Sequence, residues 1–413
     1  MSTATTQQSS LFFDAAWNIG IDLVRDALWD DNKHCCTWTG NWMDPVEGKF
    51  ASVVKSFGND LYAGTSGIAF FLSALHSVKQ DQLLSETIEG AVNHTLLLAD
   101  GTPHFGFYSG KPGIASALIF CGEQMNRKDW IAHGIALLET LKDAEPAVHE
   151  TDIISGIAGT IPCLVVFAGR YKRPELLQTA TRLGHTLYNN ATRTEQGWSW
   201  LTIPGTNHLT GYSHGTSGIA LSLLQLYKAT GEDKFLEAVE GGFSYEHTHF
   251  NHAKQNWPDF RDNFPKGADG TYNCGMAWCH GAPGIALSRV RANELKTDNE
   301  YQRVATIALD TTYRDLQNLL SNPAYRINYS LCHGVAGNAD ILLNSGRPQD
   351  KALAEATGMA GIQQYDDTML PWPSGTTDAK PTPGLMMGAA GTGYFYLRLS
   401  DPARFGTILL PEV

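Results

Sequence analysis

The sequence predicts an all-α chain folded as an α/α toroid, a double ring of seven inner and seven outer helices with its glycine-rich turns gathered at one mouth. Three observations carry this. A Gly-x-x-Gly unit occurs seven times, at Gly64-Thr-Ser-Gly67, Gly110-Lys-Pro-Gly113, Gly156-Ile-Ala-Gly159, Gly215-Thr-Ser-Gly218, Gly281-Ala-Pro-Gly284, Gly334-Val-Ala-Gly337 and Gly388-Ala-Ala-Gly391. The units recur roughly every fifty residues, the period of a repeat architecture. Each unit opens an apolar run, and ahead of each lies an amphipathic segment with apolar residues at three- and four-residue spacing. One helix pair cannot bury its apolar face alone, so neighbours must stack, and closing the stack removes the ends that an open solenoid would have to cap.

The elements follow in order. Residues 1–12 are expected as a flexible tail, and the first outer helix runs from Phe13 to Trp29. Gly64 opens the run IAFFLSAL, followed by Gln82 to Ala99, where Leu84, Ile88, Ala91, Thr95 and Leu98 share one face. Gly110 opens IASALIF, Gly156 TIPCLVVFAG and Gly215 IALSLLQLY, and the outer segments between and after them are Trp130 to Leu141, Glu175 to Asn189 and Lys234 to Gly241. Gly281 then opens IALSRV, Gly334 NADILL and Gly388 TGYFYLRL, with Tyr301 to Leu320 and Lys351 to Tyr365 between them. Glycine is expected at these starts because it permits φ > 0 in the preceding turn and lets helix ends approach closely. The intervals 190–213, 242–277 and 366–387 are too long for simple turns. They are expected to wall the mouth, with Trp198, Trp200 and Trp257 facing a flexible ligand. Residues 1–413 are read as one domain.

Hydrophobic residues make up 43% of the 413, and charged residues 17%, as in a chain that buries a large core. A net charge of −12 without a Lys/Arg stripe argues against a nucleic-acid surface. The N-terminus has no basic segment followed by an apolar one, and no run approaches the length of a membrane span, so the expected compartment is the cytoplasm. Seven cysteines, an odd number, fit reduced thiols and metal ligation better than a disulfide framework.

Two of the glycine units sit behind a Cys-His pair, Cys279-His280-Gly281 and Cys332-His333-Gly334. Catalytic zinc takes three protein ligands and keeps one position open, and Cys279, Cys332 and His333 offer such a set. Spacing alone says little, since no zinc finger has cysteines so far apart. Register says more: each cysteine stands two residues before the first glycine of its unit, which would put both thiols at one height. The plain alternative is two buried small hydrophobes and a capping histidine. His214, in Gly211-Tyr-Ser-His-Gly215, shares the register of His280 and His333 and is either an acid or base near neutral pH or a hydrogen-bonded turn residue. Asp152, four residues before Gly156, is either its companion or a helix N-cap. Cys274 falls outside the register, Cys121 and Cys163 read as core, and Cys35 and Cys36 have no assigned role. His247, His249 and His252 crowd one loop, where solvated side chains are the commoner outcome. No phosphate-binding loop or dinucleotide fingerprint occurs, and a glycosidase would need a second carboxylate opposite Asp152.

From about Asp60 to Leu399 the chain resembles the lanthionine synthetase C-like cyclases, through all seven glycine units and the motifs Trp278-Cys279-His280-Gly281, Leu331-Cys332-His333-Gly334, Gly211-Tyr-Ser-His214-Gly215 and Asp152-Ile-Ile-Ser-Gly156. The wording LYAGTSGIAFFL and PGLMMGAAGTGYFYLRL is most similar to the cyclase half of the two-function class II lanthipeptide synthetases, and the chain is too short to include their dehydratase half. The resemblance implies one Zn²⁺ on Cys279, Cys332 and His333, with catalytic roles for His214 and Asp152. It implies addition of a peptide cysteine thiolate to dehydroalanine or dehydrobutyrine, forming thioether rings in a dehydrated precursor peptide supplied by a separate dehydratase. Some cyclases place an arginine four residues before the first zinc cysteine. Here that position is Gly275. Two other readings keep the zinc site: addition of glutathione to dehydroamino acids in proteins, and a peptide-binding scaffold without turnover.

Overall fold

The computed structural model describes every residue except 1–2, 47–48, 262–265, 269, 323–326, 377 and 413. Among the described residues there are fourteen α-helices and three two-stranded hairpins. The amphipathic helices are α1 (Thr3–Arg25), α3 (Gln82–Leu98), α5 (Lys128–Glu139), α7 (Pro174–Asn190), α9 (Asp233–Thr248), α11 (Asn299–Leu320) and α13 (Pro348–Gly361). The other seven begin on the glycine units: α2 (Thr65–Val78), α4 (Lys111–Gln124), α6 (Ile157–Arg170), α8 (Thr216–Thr230), α10 (Ala282–Leu295), α12 (Val335–Leu343) and α14 (Ala389–Ser400). The hairpins are β1–β2 (Leu28–Trp29, Cys36–Thr37), β3–β4 (Thr39–Val46, Lys49–Ser56) and β5–β6 (Thr192–Thr194, Gly197–Ser199).

The chain divides into two compact units, one of Met1–Thr102, Gly113–Ile135 and Leu316–Leu409, the other of Pro103–Pro112, Ala136–Asp315 and Leu410–Val413. In the second, α8 packs between α6 and α10, and α6 and α8 each carry the following amphipathic helix, α7 and α9. In the first, α14 packs against α2 and α12, which carry α3 and α13, and the amphipathic partner of α14 is α1, so the first helix lies along the last. Burial follows composition. The glycine-led helices are enclosed over their first turns, with Thr65 to Leu75 of α2 and Thr216 to Leu226 of α8 buried without interruption. Helix α3 buries one stripe, including Leu84, Ile88, Ala91 and Thr95, and exposes Leu97 and Leu98.

The glycines serve close approach more than unusual φ. Gly281 has φ +90°, whereas Gly64, Gly156, Gly215, Gly334 and Gly388 are extended, so the expectation of φ > 0 holds at one of these starts and fails at the others. The segment before each helix folds back over the helix's first turn. A Cβ on the second glycine would strike the carbonyl oxygen six residues earlier, Gly67 against Leu61, Gly159 against Ile153, Gly218 against Tyr212, Gly284 against Trp278, Gly337 against Leu331 and Gly391 against Leu385. Residues one and two places before the first glycine are thereby held at the helix N-terminus.

Three expectations need correction. Helix α1 starts at Thr3 and not at Phe13, so residues 3–12 are helical, and Phe12 is buried with its ring 6.2 Å from that of Tyr396. Trp200 and Trp257 do not line a mouth; both are buried. Their indole N–H groups donate to Leu187 O at 2.8 Å and Glu246 O at 3.0 Å, in the last turns of α7 and α9. Trp38 does the same for Leu23 O of α1 at 2.8 Å. A helix end leaves four carbonyls without partners, and a buried indole needs an acceptor, so each requirement meets the other. Trp198 is half-buried under the Arg193 guanidinium, 4.1 Å from its ring centroid. Finally, α9 extends to Thr248, placing His247 on a helix and His249 at its C-cap.

Candidate active site

Backbone hydrogen bonds join the folded-back segments of successive repeats at matching positions. Tyr108 N donates to Ile154 O at 3.1 Å, Ile153 N to Ser213 O at 3.0 Å and Ser213 N to Cys279 O at 3.4 Å; Cys332 N donates to Met386 O at 2.9 Å and Met386 N to Tyr62 O at 2.8 Å. Tyr62, Tyr108, Ile154, Ser213, Cys279, Cys332 and Met386 all stand two residues before a first glycine. This is the physical form of the register read from the sequence.

The ligand atoms of Cys279, Cys332 and His333 lie within 4.8 Å of one another. Donors around one zinc stand about 3.5 Å apart, so the set needs only to draw in. Two thiols and an imidazole are the donor chemistry zinc takes. The orientation of His333 also fits: its Nε2 is 2.6 Å from Gly375 O. A carbonyl can only accept, so Nε2 carries the proton and the lone pair of Nδ1 is left for a ligand. A backbone carbonyl fixing the remote nitrogen is the usual support for a metal-bound histidine. Gly375 permits it, because a Cβ there would lie 2.8 Å from His333 Nε2.

Cys279 sits in a turn held by Asn256, whose Oδ1 accepts from Ala282 N at 2.7 Å and whose Nδ2 donates to Gly275 O at 3.0 Å. His214 and Asp152 are paired as well, with Nδ1 of the imidazole 2.6 Å from Oδ2 of the carboxylate. The other oxygen of Asp152 accepts from Ser155 N at 2.8 Å. Burial pushes the His214 pKa down, but the hydrogen bond and charge of Asp152, with Cys279 adding to them, outweigh it, and the net shift is upward. Nδ1 is committed to Asp152, so any proton exchanged with a ligand passes through Nε2.

Sequence reasoning missed four residues here. His280 is 2% exposed, its ring stacks on that of His214 with centroids 5.8 Å apart, and neither nitrogen has a hydrogen-bond partner. Burial, with the charges of Arg261 and His214 adding to it, drives its pKa well down. Its Nδ1 is 3.8 Å from Oδ2 of Asp259, a fully buried carboxylate chelated by Arg261. With Asn256, these complete the group. The available signal was positional: His280 shares the register of His214 and His333, and Asn256 to Arg261 stand in a loop too long to be a plain turn. The remaining candidates do not join the site. Cys36 is buried with its thiol pushed up to about 12 by burial, Cys35 is half-buried on the same hairpin, and Cys274 pairs by backbone with Pro258. His247 is 3.8 Å from Glu300, and His249 and His252 pack edge-on to Phe260 and Phe250. No metal-capable group forms from these three histidines among the described residues.

Comparison with known proteins shows the family and the fold. The family model of the lanthionine synthetase C-like proteins matches residues 55–410. The lacticin 481/lactococcin biosynthesis protein of Lactococcus lactis subsp. lactis is 25% identical over 320 residues, covering 74% of this chain and 31% of that protein. A glutathione S-transferase of Danio rerio is 27% identical over 197 residues, 47% of this chain and 44% of that one. The chain thus spans less than half the length of either curated relative in the matched region. The solved structure of nisin cyclase superposes with a TM-score of 0.63 at 16% identity, over 85% of this chain and 91% of the other, and the shared fold is an α/α toroid. By the match to its family model, the chain belongs to the lanthionine synthetase C-like family.

Proposed function

We propose that the protein is a zinc-dependent lanthipeptide cyclase, which adds a cysteine thiolate of a dehydrated precursor peptide to a dehydroalanine or dehydrobutyrine of the same peptide. The observation that carries this is the gathered set Cys279, Cys332 and His333, with His333 Nε2 committed to Gly375 O. Zinc held there, with one position left to substrate, would keep a thiol ionised at neutral pH. The sulfur forms a bond to the β-carbon as the double-bond electrons move toward the α-carbon and its carbonyl. His214 Nε2 then delivers a proton to the α-carbon, and Asp152 keeps the imidazole oriented and its charged form favoured. The thiol proton lost and the α-carbon proton gained balance, so the product has the mass of the reactant.

The precursor would come from a separate dehydratase in the cytoplasm; among the described residues no helix is long and apolar enough to cross a membrane. The likeness to a glutathione S-transferase favours a second reading, in which glutathione is the thiol. That reading adds the mass of the tripeptide to the acceptor. The match to the lacticin protein, over 74% of this chain, favours cyclisation. Metal analysis tests the centre: wild type should hold about one zinc per chain and Cys279→Ala much less, with ring formation lost in parallel. Retained zinc and retained ring formation in Cys279→Ala would refute the assignment.

A further inference from the structure

Wholly within the first compact unit lies a groove of about 810 Å³, the size of a ligand site. One wall is α1 with Trp38 and Thr39, and the other is formed by residues from Tyr365 to Trp372 and from Pro381 to Pro383. Helix α1 and Thr39 lie ahead of residues 55–410, so the first wall stands outside the region that matches the family model. The base is aromatic and stiff: the Trp372 ring is 5.1 Å from that of Tyr365, 5.2 Å from Tyr329 and 5.3 Å from Tyr396. On the rim, Met369 and Leu370 keep 92% and 55% exposure, and Met369 holds φ +55°, a backbone state costly for a bulky residue. Large apolar side chains left open beside an apolar groove mark a contact surface.

The groove is also acidic. Asp22, Asp26 and Asp366 line it, and Asp14 and Asp367 stand close enough to act on Asp366. Of the nearby cations, Arg25 is taken up by Asp22 at 2.6 Å and Asp26 at 2.9 Å, and Lys79 lies 3.8 Å from the Trp17 ring centroid. Half-buried Asp366 has only the Asn18 amide, at 3.3 and 3.4 Å, and no ion pair reaches it among the described residues. Burial, with the charges of Asp367, Asp22 and Asp14 adding to it, raises its pKa. A docked cation would relieve both effects.

We infer that this groove docks a basic segment of the precursor peptide, its lysines or arginines meeting the carboxylates and its apolar residues lying on Trp372 and Leu370. The inference rests on the cyclase reading above. A second copy of this chain, with its net charge of −12, would bring like charge to the face, as would anionic lipid or nucleic acid. The position of the groove favours the peptide over another basic partner. Trp372 and Pro381 to Pro383 line it, and Gly375, on the loop between them, accepts from His333 Nε2. That loop is fixed by Tyr329 N donating to Pro373 O at 3.3 Å and Gly375 N donating to Met387 O at 2.8 Å. A peptide held along the groove therefore lies one loop away from His333.

The test uses a fluorescein-labelled peptide of alternating Lys and Leu residues and its Glu/Leu counterpart, with binding read by anisotropy. Wild type should bind the first and not the second. Leu370→Lys and Asp366→Asn should each raise Kd about fivefold or more, with Tm and zinc content unchanged, whereas Glu240→Lys, at an exposed position on α9, should leave Kd as it was. The same segments are then joined to a dehydrated test peptide with one cysteine and one dehydroalanine. The Lys/Leu extension should lower KM in wild type with little change in kcat, and Leu370→Lys should lose that advantage. Equal binding of both peptides, or a Glu240→Lys loss as large as those of the groove variants, would reduce the effect to diffuse charge and overturn this inference alone. A dimer that Leu370→Lys dissociates, with no peptide binding, would assign the face to a second copy and overturn it as well. Groove binding by a zinc-loaded wild type that closes no ring overturns the cyclase reading, and with it the assignment of the occupant as substrate.

Discussion

His214 and Asp152 show how a pair of side chains sets a proton's place. Imidazole buried alone would shed its proton, and the carboxylate 2.6 Å away reverses that tendency. The folded-state pKa is raised, so the pair's contribution to stability is full below the unperturbed imidazole value, about 6.5, and is lost as pH rises through the folded value. In the proposed role of proton donor, His214 should give a kcat that falls on the alkaline side. In Asp152→Asn the raising influence is removed, so that fall should move to lower pH; a limb that stays in place in the pH–rate profile would rule out His214 as the titrating donor. His333 offers a second test. Gly375→Ala puts a methyl group 2.8 Å from Nε2 and should disturb the hydrogen bond to its carbonyl. Zinc affinity, measured against a competing chelator, should drop roughly ten- to a hundredfold, and unaltered affinity would mean that this support is dispensable.

Each glycine-led element consists of a helix and the segment folded over its first turn, and the glycines allow the two to touch. Gly284→Ala would drive a Cβ into the carbonyl of Trp278 and to 2.7 Å from Tyr212 Cβ, with backbone on one side unable to give way. A loss of about 1–3 kcal/mol is expected, seen in chemical denaturation, together with weakened zinc binding because Cys279 rides on that segment. Elements of this kind are legible in the amino-acid sequence. The apolar runs and the amphipathic stripes fall where the helices are, and the Cys-His register is realised as backbone bonds at Ser213, Cys279, Cys332 and Met386. The tryptophans are not legible in the same way. Trp200 and Trp257 look like ligand-binding aromatics in a loop, and only their indole bonds to α7 and α9 reveal a capping role. Asn256 and Asp259 leave no trace in the local sequence because their contacts are to residues 275–282, which no local pattern announces. Helix α1 begins earlier than its apolar pattern indicates because Thr3 to Ser10 is polar, while Phe12 is held by packing against Tyr396.

At the scale of the whole molecule, a repeat places chemistry that no single repeat could hold. The residues of the proposed site, Asp152, His214, Cys279, Cys332 and His333, come from four of the folded-back segments. The toroid fold is shared with nisin cyclase. Folds of this kind host several chemistries, so the function rests on the site and not on the ring. Zinc removal separates a catalytic from a structural metal: a chelator should abolish turnover while most helical signal survives, whereas unfolding on chelation would mark the zinc as a structural clamp. The most direct measurement follows free thiol and intact mass together, in a dehydrated cysteine-containing peptide incubated with zinc-loaded protein. The proposed chemistry predicts that thiol disappears while mass stays the same. Thiol that persists beside a full zinc complement would contradict it.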